Sequence, residues 1–141
     1  MRKYFVTFTA VISFFAVSNA FSQNLPVIKS VQCKDQNQVS APVFFSAKSA
    51  GSGLQFNLGN IEEIASGQNY MHVTSSGQIV NVSSPAPGMI LLQGSFGTEL
   101  KVMPATGAAL LSGLVDVRDN LSGIYNPVRV TNYKMKCVLN K

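Results

Sequence analysis

Tyr133-Lys134-Met135-Lys136-Cys137-Val138-Leu139 alternates along its whole length. Successive side chains of an extended strand point to opposite sides. Tyr133, Met135, Cys137 and Leu139 therefore share one face, and Lys134, Lys136 and Val138 the other. Just upstream, Val128 and Val130 run in the opposite phase, which predicts a β-bulge near Thr131-Asn132 that returns both halves to the core. The cysteine in this strand carries the topology. The chain has two cysteines, Cys33 and Cys137, one near each end of the folded portion. A bond between them brings the first and last strands to about 4.4–6.8 Å between Cα atoms. A sheet whose first and last strands meet is a closed barrel, or a sandwich with both termini at one edge.

The N-terminus makes such a bond chemically reasonable. Met1-Arg2-Lys3 is positive, Tyr4 to Val17 is apolar apart from Thr7, Thr9 and Ser13, and Ser18-Asn19-Ala20 supplies the small residues of a cleavage site. This is the layout of a secretory signal peptide. Residues 1–20 are expected to be cleaved, leaving residues 21–141 as one domain in the periplasm or secreted. No later apolar stretch approaches the length of a spanning helix, and no transmembrane anchor is expected. In an exported chain two cysteines allow one intramolecular pairing, Cys33–Cys137. Closing a loop of this order is worth about 4.7 kcal/mol in the chain-entropy model. The absence of a Cys-x-x-Cys spacing favours a structural staple over a redox site.

Outward from the two cysteines, the chain reads as short strands. Lys29, Val31 and Cys33 alternate with Ser30, Gln32 and Lys34; Val43, Phe45 and Ala47 alternate with Phe44, Ser46 and Lys48; Leu54 to Leu58 has a clean period of two. Further strands are expected at Tyr70–Thr74, Gln78–Ser83, Met89–Gly94, Glu99–Met103 and Leu110–Arg118. Ser75-Ser76-Gly77 reads as a hairpin link and Gly94-Ser95-Phe96-Gly97 as another. Asn60, Glu63 and Gly67 have the spacing of a helix cap, box and stop, which predicts a short helical turn over 61–66. Eight or nine strands at intervals of about 8–12 residues predict an all-β fold, a small antiparallel meander barrel with a β-sandwich as the alternative.

Charged residues make up 12% of the chain, against about 25% in ordinary globular proteins, so Ser, Asn, Gln and Gly supply the polar faces. The formal charge of +5 becomes +3 once Arg2 and Lys3 leave with the leader. That is too mild, without a dense basic patch and stacking aromatics, to point to nucleic acid. His72 is the only histidine and cannot build a His-rich metal site. It is expected to be solvent-facing or hydrogen-bonded. Asp116, Arg118 and Asp119 gather at a strand end, where Asp116 and Arg118 can simply pair. No phosphate-loop, zinc-protease or serine-hydrolase motif occurs. No catalytic residue, cofactor or metal site is assigned, and the chain is not expected to be an enzyme.

Three candidate sites remain. Lys34, Lys134 and Lys136 form a basic stripe if the cysteines join their strands. It suits an anionic envelope polymer or an acidic protein cleft, while the competing explanation is protection of an exposed strand edge. Phe44, Phe45, Phe56, Tyr70, Phe96, Tyr125 and Tyr133 either line a pocket for a small apolar ligand or fill the interior. The third is a loop containing Ser122, Gly123 and Tyr125.

Lipocalin and avidin-like barrels rely on tryptophan, and this chain has none. Ser122-Gly123-Ile124-Tyr125 resembles a short Ser-Gly…Tyr element of one group of periplasmic lysozyme inhibitors, over four residues near the C-terminus. The resemblance implies hydrolase inhibition as an alternative function. The leading expectation is an exported, non-catalytic β-domain that binds an envelope or extracellular macromolecule. The other alternative is a small apolar-ligand carrier.

Overall fold

The computed structural model describes residues 27–37, 42–119 and 121–141. The expected leader, residues 1–20, lies outside them. The strands are β1 (Ser30–Asp35), β2 (Val43–Ala50), β3 (Gly53–Glu63), β4 (Asn69–Ser83), β5 (Ile90–Gly94), β6 (Glu99–Met103), β7 (Ala108–Arg118) and β8 (Tyr125–Asn140). Each pairs antiparallel with its successor and β8 returns to β1, closing an eight-stranded meander barrel. The barrel form of the expected fold is thus the one adopted. Cys33 stands directly opposite Cys137 at the closure, their Cα atoms 4.0 Å apart, and the two are joined as a disulfide.

Alternation decides what fills the barrel. Val31, Phe45, Phe56, Leu58, Leu92, Leu100, Leu111, Val115 and Met135 point inward and are fully buried. The rings of Phe45 and Phe56 stack with centroids 5.8 Å apart. These side chains pack together as one core cluster inside the barrel. The outer faces carry Gln32, Lys34, Lys48, Gln55, Asn57, Lys134 and Lys136, all exposed.

Two local expectations are corrected. Residues 61–66 are not helical. Ile61, Glu62 and Glu63 continue β3 and pair with Met71, Tyr70 and Asn69. The turn beyond is closed by the Ile64 and Gly67 amides, which donate to the Gln68 and Ile64 carbonyls at 2.9 and 2.8 Å. An isolated turn or two of helix is intrinsically marginal, and the ladder of a long hairpin wins. Among the described residues, the one helical element is instead a 3-10 turn at Ser95–Gly97. Second, Ser75-Ser76-Gly77 is not a hairpin link but the middle of β4, so the two strands expected around it are one. Gly77 is there because the wall comes close: a Cβ would lie 3.1 Å from the Phe56 ring and 2.9 Å from Ser95.

The β8 bulge forms as expected. Register shifts between Leu111 and Gly113 of the partner strand. Asn132 takes φ +50° and donates its amide to the Ser112 hydroxyl at 3.1 Å. The bulge lets β8 run for 16 residues, while β5 and β6 are only 5 residues each. The start of β4 and the end of β7 therefore extend past them, and this inequality positions the polar cluster described next.

Candidate functional site

Where β5 and β6 stop short, β4 meets the end of β7 through side chains instead of a backbone ladder. The Asp116 amide donates to the Thr74 hydroxyl at 2.8 Å, and the Ser75 hydroxyl donates to the Leu114 carbonyl at 3.1 Å. His72 Nε2 lies 3.2 Å from Asp116 Oδ2. The Tyr125 ring stacks on His72 with centroids 4.2 Å apart, and its hydroxyl donates to Glu62, 2.7 Å from either oxygen. That hydrogen bond, reinforced by burial and by the carboxylate's charge, raises the Tyr125 pKa above its ordinary 10.0.

His72, Asp116, Tyr125 and Glu62 therefore join the β3–β4 hairpin to the β7–β8 hairpin. Sequence reading had Asp116 available to Arg118 on its own strand; its partner is His72, 44 residues away. No local spacing encodes such a pair. The neighbouring hydroxyls of Thr74 and Ser75 are hydrogen-bonded to backbone, Thr74 as acceptor and Ser75 as donor. Among the described residues, no group of three or more His, Cys, Asp or Glu side chains is arranged to hold a metal ion. Chemically the cluster is a clasp.

The lysines are brought together. Lys34 on β1 is directly opposite Lys136 on β8. Lys134 is two residues further along β8, where its carbonyl accepts the Gln36 amide at 3.3 Å. All three side chains are exposed. Lys134 is also opposite Leu110 of β7, which is opposite Lys101 of β6. Lys101 has Glu99 at 3.8 Å. Among the described residues, Lys34, Lys134 and Lys136 have no carboxylate within 4.0 Å; Lys136 donates to the Thr106 carbonyl. The nearby Asp35 is turned inward and buried. It accepts from the Tyr133 hydroxyl and, at 2.7 Å, from the Asn37 amide. Burial, with the Asp35 hydrogen bond and charge, pushes the Tyr133 pKa up to about 12.

In the loop with Ser122, Gly123 and Tyr125 the polar side chains have partners within the protein while Asp119 and Ser122 stay exposed. The Ser122 hydroxyl donates to Asp119 at 2.8 Å, Gly123 takes the left-handed φ of +69° that ends the turn, and Tyr125 is committed to Glu62. The Leu121 amide and then the Ser122 hydroxyl, both donating to Asp119, hold its carboxyl below the usual 3.8. Leu121 and Ile124 also project from the loop, 98 and 61% exposed. Of the seven aromatics weighed as a pocket lining, Phe45 and Phe56 fill the core, whereas Phe96 and Tyr70 stand exposed.

No protein-family model matches the chain, and no curated protein or solved structure matches it significantly.

Proposed function

We propose that the chain is an exported, non-catalytic β-barrel that binds an anionic envelope or extracellular polymer through the wall formed by Lys34, Lys134 and Lys136. One observation carries this reading: Lys34 and Lys136 are cross-strand partners on a closed barrel. Like charges directly opposite each other destabilise a sheet. The usual compensation, protection of an exposed strand edge, does not apply, since β1 and β8 use their edges to pair with each other. A bound anion relieves the repulsion and gives the lysines a purpose. Export supplies the setting, and the disulfide is compatible with it.

The test is retention of the mature chain on immobilised inorganic polyphosphate. Retention that weakens with salt, and is lost in the Lys34→Glu/Lys136→Glu variant, supports the proposal. Equal elution of the two proteins overturns it.

A further inference from the structure

The lysine wall is not uniformly polar. On one side of it the outer surface sinks into a groove of about 830 Å³, where Lys34 and Lys136 meet Pro42, Val43, Ile61 and Val138. On the other side a depression of about 290 Å³ brings Lys101 and Lys134 beside Met89, Met103, Ala108 and Leu110. Gln36 borders both. The larger lies within the sizes of small-molecule sites, about 300–1,000 Å³, and the smaller at their lower end.

The ladder explains the mixture. Lys136 is opposite Lys34 on one side and Ala108 on the other, and Ala108 is opposite Met103. Lys134, Leu110 and Lys101 form the next outward row. Cations and apolar side chains thus adjoin across β1, β8, β7 and β6. Val138, Met103 and Leu110 are 64, 45 and 37% exposed. A wall that met only a polyanion would gain nothing from them, and single exposed apolar residues are ordinary. Here, however, they line the two grooves that flank the cations, and the aliphatic stems of the lysines extend the same apolar surface.

We infer that the ligand is an acylated amphiphile whose phosphate gives it a net negative charge. Its phosphate lies on Lys34, Lys136 and Lys134, and its acyl chain lies along the flanking grooves. This rests on the reading of the lysine wall given above and adds the acyl chain to it. A single acyl chain gives only marginal attachment by itself, and a basic cluster beside it supplies the second attraction that makes attachment stable.

Calorimetric titration of the mature protein with lysophosphatidylglycerol, glycerol 3-phosphate and lysophosphatidylcholine, all below micelle-forming concentration, tests the inference. Lysophosphatidylglycerol is expected to bind at least tenfold more tightly than either of the others. Val138→Ser/Met103→Ser/Leu110→Ser alters only exposed side chains. It should lose that advantage while keeping polyphosphate retention, whereas Lys34→Glu/Lys136→Glu should lose both. Equal binding of lysophosphatidylglycerol and glycerol 3-phosphate, or an undiminished advantage in the serine variant, overturns the acyl-chain inference and leaves the polyanion reading standing if polyphosphate is still retained. Loss of polyphosphate retention by the unaltered protein removes both.

Discussion

Phe56 lies with its ring against two glycines of neighbouring wall segments. A Cβ at Gly94 would sit 2.7 Å from the ring, so Gly94→Ala forces a buried aromatic to move. Overpacking of this kind costs about 1–3 kcal/mol, to be read from urea denaturation midpoints. Phe96, two residues on, behaves oppositely. It holds φ +59° and ψ +29° and is 78% exposed. A left-handed non-glycine residue costs about 1–2 kcal/mol, and so exposed a ring recovers little of it. Phe96→Asn, which tolerates that conformation better, is expected to raise stability by about 0.5–1 kcal/mol. A loss instead would mean that the ring packs against something. At this scale the sequence was partly legible. The inward identities of Phe45, Phe56 and Met135 follow from period-two alternation. The outward placement of Phe96 does not, because its direction is set by a left-handed turn that no periodicity reports.

The uneven lengths of the strands shape the next level. β5 and β6 end early, and the gap they leave between β4 and β7 is filled by Thr74, Ser75, His72 and Asp116. Thr74→Val keeps the shape but leaves the Asp116 amide without its acceptor, at a cost of about 1–3 kcal/mol, measurable by denaturation. Amide exchange should accelerate locally at Asp116 more than in β1. The strand pattern was readable in advance for most of the ladder, including the bulge near Asn132, because hydrophobic phase reports a slip directly. The merging of two expected strands into β4 was not. Ser75-Ser76-Gly77 has turn composition, and only the approach of Phe56 from β3 makes a glycine necessary inside a strand. Similarly, Asn60, Glu63 and Gly67 have helix-end chemistry, and pairing with β4 overrides it. The clasp was invisible for a related reason: Glu62, His72, Asp116 and Tyr125 are spread over four strands whose registers must all be known before the residues coincide.

For the molecule as a whole, closure is secured twice, by the β1–β8 ladder and by Cys33–Cys137. Replacing both cysteines by serine should lower unfolding stability by about 2–4 kcal/mol while leaving the barrel's far-ultraviolet circular dichroism intact. High pH should attack the same region. Tyr133 titrates near 10.0 when unfolded and at about 12 when folded. Its contribution is therefore complete below pH 10.0, and it is lost as the pH rises through that interval, because the unfolded chain releases its proton first. Denaturation midpoints should fall more steeply there for the native sequence than for Tyr133→Phe. The paired cysteines foretold this closure, since a staple linking the first strand to the last leaves few all-β arrangements. The lysine stripe was legible, but the choice between its two explanations was not, because a lysine gains meaning only from knowing whether its strand has an edge.

That same closure dictates an order of events during folding. The strand that completes the wall is the last to be synthesised, and its partner is the first. Consecutive hairpins from β1 to β7 can form as the chain emerges, each closing a short loop. The β1–β8 contact must span a separation of 104 residues between the cysteines, the kind of distant pairing that slows folding. Until it forms, a sheet of consecutively paired strands has two open edges, β1 and β8, and an uncovered interior. Refolding experiments should accordingly show the disulfide forming with, and not before, the burial of Met135 and Leu111, and a chain ending before Tyr125 should remain aggregation-prone under conditions in which the complete one is stable.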